Sequence, residues 1–156
     1  MKKNICIFFL FFLFSCSSNK ELRKEREIWN FKNWKQEYKD RAFCLCIQKG
    51  FENRKLESEL IDNDKSFYNP LGIAIFDKSL IPLINDKVKK IRLDSMNSID
   101  TYPSDLKPIY NKRAVLSNCI NFYKSKILDN TAKNEEKKWK KIKGISDEIH
   151  KEIPTY

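Results

Sequence analysis

Two segments of this chain, 34–53 and 111–130, carry apolar side chains at helical spacing, and each sets a cysteine on or beside its apolar side. In the first, Trp34, Tyr38, Ala42 and Leu45 form one stripe and Phe43, Ile47, Gly50 and Phe51 a second, which predicts a central helix contacted from more than one side. In the second, Leu116, Ile120, Tyr123 and Ile127 form the apolar stripe, Val115 and Phe122 flank it, and Asn118, Asn121 and Ser125 mark the polar face. At about 100° per residue Cys46 falls between the two stripes of its helix, Cys44 falls toward the polar side, and Cys119 falls inside the apolar face of its own.

The rest of the chain fits the same architecture. With only three glycines, 33% charged residues and long runs of Lys, Glu and Leu, the composition predicts an all-α chain, a small single-domain helical bundle. Between 66 and 97 the pattern predicts two helices meeting near Asp77–Ser79. Leu80, Leu83, Ile84, Val88 and Ile91 line the second, Ser79 caps it and Pro82 sits in its first turn. The polar stretch 97–108, with Pro103 and Pro108, ends that helix and is the best candidate for a projecting loop.

Residues 1–15 read as a secretory signal peptide, with Lys2 and Lys3 ahead of an apolar run from Ile5 to Phe14 that is short of the roughly 20 residues a bilayer span needs. Leu13-Phe14-Ser15-Cys16 resembles the bacterial lipobox, so Cys16 is the expected lipidation site. The acyl chains would anchor the protein to a membrane, with 16–33 as a polar tether. The expected location is the periplasm, and Ser17 after the acylated cysteine favours the outer membrane. Such a compartment oxidises thiols, which makes a disulfide between the two core helices, Cys46 to Cys119, the natural pairing and leaves Cys44 free. Two ordinary buried thiols are the alternative.

The formal charge is +10. Secretion argues against nucleic acid as the partner and leaves anionic lipid or an acidic protein surface. The densest basic run, Lys137 to Lys143, lies in a basic C-terminal extension, 134–156. It reads as a solvated helix face, or as a short amphipathic helix on lipid through Trp139 and Ile142.

Groups for catalysis are sparse. His150 is the single histidine, placed by this reading in the basic tail, and Cys44-x-Cys46 lacks the second ligand pair of a zinc site. Gly50, Gly72 and Gly144 form no phosphate cradle, and Asp62/Asp64 and Glu57/Glu59 lie in a polar stretch with nothing apolar to raise a carboxylate's pKa. The expectation is a binding protein, not an enzyme, with no cofactor and no metal.

Tyr38-Lys39-Asp40, Cys46-Ile47 and the Cys119-x-x-x-Tyr123-x-Ser125-x-x-Leu128-Asp129 run resemble the type VI secretion amidase immunity proteins over about 34–133. These are small, mostly helical periplasmic proteins that neutralise a peptidoglycan amidase delivered by another cell. The resemblance implies a helical domain over 34–133, a cognate amidase effector as protein partner and a possible homodimer. It also implies a loop that enters the amidase cleft, here Asp100, Thr101, Tyr102, Pro103, Ser104 and Asp105, with Tyr102 the expected hot spot on residue type. The lipobox, Cys44 and the basic C-terminal segment depart from the family pattern. The competing reading is a non-enzymatic adaptor lipoprotein that tethers envelope components through its basic surface.

Overall fold

In the computed structural model the described residues are 21, 22, 24, 31–99, 103–110, 112–142 and 144–153, and among them every regular element is helical. The signal peptide, Cys16 and most of the tether lie outside the described residues. Helix α1 covers residues 31–50. It is followed by α2 (Arg54–Asn63), a 3₁₀ turn (Lys65–Phe67), a π-helical turn (Gly72–Phe76) running directly into α3 (Asp77–Ile99), and the short α4 (Lys107–Tyr110). The chain closes with α5 (Val115–Tyr123), α6 (Lys126–Trp139) and α7 (Ile145–Glu152). It is an all-α single domain.

α1 is the centre of the fold, as its two stripes predict. Trp34, Tyr38, Ala42, Leu45 and Cys46 are buried, while Phe43 and Ile47 are half-buried and pack against the core from the side. Trp34 and Tyr38 both meet Phe76 edge-on, at centroid distances of 4.8 and 5.1 Å. Burial pushes the Tyr38 phenol up to about 12, so it stays protonated and shares a 2.9 Å hydrogen bond with the Ser79 hydroxyl. Leu80, Ile84, Val88 and Ile91 line the buried side of α3 as their spacing predicts. The Cys46–Cys119 disulfide, with a Cα–Cα distance of 5.7 Å, ties α1 to α5, and Cys44 is free.

Three expectations are corrected. The two helices predicted to meet near Asp77–Ser79 form one uninterrupted helical run from residue 70, because the π turn absorbs an extra residue without breaking the chain. Asn69 starts that run by accepting the Gly72 amide at 2.8 Å. Ser79 therefore caps nothing, and its hydroxyl donates to the Phe76 carbonyl at 3.1 Å instead.

The segment 111–130 is not one helix. α5 stops at Tyr123, and Ser125, in extended backbone, restarts the chain as the N-cap of α6 by accepting the Leu128 amide. The buried line is Val115, Cys119 and Phe122, whereas Leu116, Ile120 and Ile127 are 55%, 42% and 65% exposed. The disulfide turns the Cys119 side of α5 inward and so rotates Leu116 and Ile120 out.

The basic C-terminal extension is part of the domain. α6 runs straight through the expected boundary at 133, and Trp139, Ile145 and Ile149 join the same core as Trp34 and Phe76. The basic run of 137–141 is amphipathic, but its tryptophan faces protein rather than lipid: the Lys137, Lys138, Lys140 and Lys141 side chains are exposed while Trp139 is buried. Gly144 makes the turn into α7 with φ of 75°, a conformation that suits glycine, and His150 sits exposed on α7, not in a tail. Because Ile149 is fully buried, Ile149→Val should lower stability by about 1 kcal/mol. Ile127→Val, at an exposed position, should change it little, and urea unfolding of the two variants checks the contrast.

Candidate functional site

Of the six residues expected to enter a partner's cleft, Asp100, Thr101 and Tyr102 lie outside the described residues. Pro103, Ser104 and Asp105 are exposed and form a turn closed by the Leu106 amide on the Pro103 carbonyl at 3.0 Å. The turn leads into α4, where Leu106, Ile109 and Tyr110 are 37%, 62% and 38% exposed. These three apolar side chains extend the candidate surface beyond Asp105. Their i, i+3, i+4 spacing just past the loop was the available signal.

One residue joins the two segments that flank this stretch. Glu52 pairs with Arg92 on α3, before the loop, and with Arg113 at 2.6 Å, after it, while Arg113 also donates to the Phe51 carbonyl at 3.3 Å. Glu52 itself has φ of 49°, a backbone region that costs a non-glycine residue on the order of 1 kcal/mol, and the two guanidinium groups oppose that cost. Hydrogen bonding from Arg92 first, with the charge of Arg113, holds the Glu52 carboxyl below its ordinary range.

A carboxyl depressed in the folded state stabilises above its unfolded pKa and loses that contribution as pH falls through the folded one. Glu52→Gln should therefore cost about 1 kcal/mol at neutral pH, with the gap from wild type closing as pH drops below about 4. Urea midpoints measured across pH check both the sign and the closing of the gap.

A second feature lies along α1, an open groove of about 700 Å³. Its floor is apolar, with Phe43, Ile47 and Leu60, and Leu116 lines it from α5. Its wall is the segment 64–69, held against α1 by three side chains. Arg41 donates to the Phe67 carbonyl at 2.8 Å, Asn69 donates to Glu37 at 2.9 Å, and the Cys44 thiol approaches the Ser66 carbonyl at 3.6 Å. Arg41 is buried and closes a two-pronged pair on Asp77 at 2.8 and 2.6 Å. Gly72 allows this approach, since a Cβ there would meet the Arg41 side chain at 2.9 Å.

Burial pushes the Cys44 thiol up; Arg41 pulls against that rise while Asp64 and Asp40 add to it, so the sulfur is held as a neutral thiol rather than an activated nucleophile. Asp64 is held below its ordinary range, chiefly by the Ser66 amide that it caps. Among the carboxylates that the sequence offers as catalytic pairs, Asp62 and Asp64 are exposed, and Glu57 accepts a hydrogen bond from Gln48 at 2.7 Å. The described residues contain no cluster of three or more His, Cys, Asp or Glu side chains placed to hold a metal ion. The described residues thus present an exposed proline turn leading into α4 and an apolar groove along α1.

Searches against protein-family models, curated proteins and solved structures find no match to this chain.

Proposed function

We propose that this chain is a non-catalytic inhibitor that neutralises a peptidoglycan amidase in the periplasm, in the manner of the type VI secretion immunity proteins, by placing the loop 100–105 in the enzyme's active-site cleft. The observation that carries this reading is the double pairing of Glu52. Glu52 pairs with Arg92 on α3 and with Arg113, which brackets the segment that carries the loop, and a binding segment whose flanks are held together loses less freedom on association. The exposed Pro103 turn and the apolar side chains of Leu106, Ile109 and Tyr110 supply a contact surface of the kind that protein partners bury. A concave amidase cleft is the shape such a projection fills. In this reading Cys16 carries the lipid that holds the inhibitor at the membrane where the toxin arrives.

Co-purification tests the proposal. Residues 17–156 are expressed with a candidate type VI peptidoglycan amidase, sought among the products of neighbouring genes, and any complex is isolated and its stoichiometry measured. Recovery of a one-to-one complex that Tyr102→Ala weakens supports the reading. Absence of any complex removes it and favours an envelope adaptor. Mass measurement of the detergent-extracted protein, with Cys16→Ser as control, tests the anchor separately: an acylated mass is expected for the native chain alone.

A further inference from the structure

The groove on α1 is remote in sequence from the loop and has a chemistry of its own. Leu116, Ile120 and Tyr123 follow one another at i, i+4 and i+7 along α5; Leu116 and Ile120 are exposed, and the Tyr123 ring meets Phe43 edge-on at 5.9 Å. Phe43 and Ile47 pack against the core on one side and, with Leu60 and Leu116, leave an apolar floor open on the other. Such a floor on a monomeric surface marks an interaction site when polar groups border it.

The border of the groove is mainly anionic; Lys39, whose Nζ lies 4.7 Å from the Tyr123 ring centroid, is paired with Asp129. Glu37, Asp40 and Asp64 line the groove, and none of them is within ion-pair distance of a cation among the described residues. Glu37 accepts from Asn69, Asp40 from Gln36 and from the Tyr123 hydroxyl, and Asp64 from the Ser66 amide, so all three are held in place by neutral donors. The Arg41 guanidinium that also lines the groove is neutralised by Asp77, and Lys65 is the remaining cation of the lining. In a chain of formal charge +10, this flank has the opposite sign to the whole.

The geometry points to a docking groove for a cationic amphipathic segment of a protein partner, its apolar residues seated on Phe43, Ile47 and Leu116 and its Lys or Arg side chains facing Glu37, Asp40 and Asp64. Charge decides among the occupants. An anionic lipid surface is repelled by the three carboxylates. A second copy docked groove to groove brings two borders of the same sign together. A basic helix or strand satisfies both the floor and the border. Pro103, Ser104 and Asp105 do not line the groove, so the inference stands whether or not the partner is an amidase.

The test uses the secreted form, residues 17–156, and a dye-labelled helical peptide of leucine and lysine with its leucines on one face, beside a matched peptide carrying glutamate for lysine. Anisotropy titration is expected to show saturable binding of the lysine peptide alone. Asp40→Lys with Asp64→Lys should weaken it by about tenfold or more, and Leu116→Asp, at an exposed position, should weaken it by at least as much while leaving the fold intact by circular dichroism. Equal binding of the two peptides, no binding at about 1 mM, or binding indifferent to Leu116→Asp overturns the inference. Light scattering that shows a dimer abolished by Leu116→Asp also overturns it, by giving the groove to a second copy. If the charge-reversal pair fails to fold, Leu116→Asp and the peptide contrast still decide.

Discussion

Replacing Cys46 and Cys119 together by alanine should lower the unfolding free energy by about 4 kcal/mol and the melting temperature by on the order of 15 °C. The bridge spans a sequence separation of 73 residues, and closing a loop of that size removes a large share of the freedom of the unfolded chain. It also joins the two helices whose faces meet in the core, so its loss leaves α5 held to the rest by the packing of Val115 and Phe122 and by the contacts of Tyr123 with Phe43 and Asp40. The same drop should appear when the native protein is unfolded in the presence of reductant, whereas Cys44→Ser should leave the melting temperature nearly unchanged. A double alanine variant as stable as wild type would show that residual structure already restrains the unfolded chain, and that the bridge adds nothing to it.

Asp77→Ala should destabilise by about 3 to 5 kcal/mol, because it leaves the Arg41 guanidinium buried without its carboxylate. Arg41 is only 7% exposed, and its remaining partner, the Phe67 carbonyl, satisfies one donor of the guanidinium. The charge cannot escape by losing its proton, since arginine stays protonated in proteins. The damage should reach the groove, because the same guanidinium holds the 64–69 wall. Removing both charges, Arg41→Met with Asp77→Ala, should recover most of the loss, since the cost lies in the unpaired charge rather than in the absent pair. A double-mutant cycle by urea unfolding gives the coupling directly, and a coupling near zero would contradict a closed, buried pair.

Much of the core was legible from periodicity alone. The stripe Trp34, Tyr38, Ala42, Leu45 and the α3 series Leu80, Ile84, Val88, Ile91 are buried as their spacing requires, and Cys46 and Cys119 lie where their helical angles put them. α5 shows where that signal ends. Its two lines, Val115-Cys119-Phe122 and Leu116-Ile120-Tyr123, are both apolar, and only the direction of the disulfide decides which faces inward.

The C-terminal segment misled for a different reason. Lysines dominate its composition, yet Trp139, Ile145 and Ile149 are enough to bury α6 and α7 against the rest. Of the candidate binding surface, the proline turn was legible as a helix break, but the double pairing of Glu52 with Arg92 and Arg113 was not. It joins residues 40 and 61 positions apart, a separation across which no local pattern runs. The groove was hidden in the same way, since its floor comes from α1, its wall from 64–69 and its far side from α5.

The proposed inhibition without catalysis is decided by titrating residues 17–156 into a type VI peptidoglycan amidase, chosen from among any that neighbouring genes encode, and following cleavage of peptidoglycan fragments. Stoichiometric loss of amidase turnover is predicted, with no turnover by the inhibitor alone and a loss of affinity on the order of thirtyfold or more in the Asp100→Ala, Tyr102→Ala variant. Undiminished amidase activity at excess inhibitor, or cleavage of the fragments by this chain itself, would contradict it.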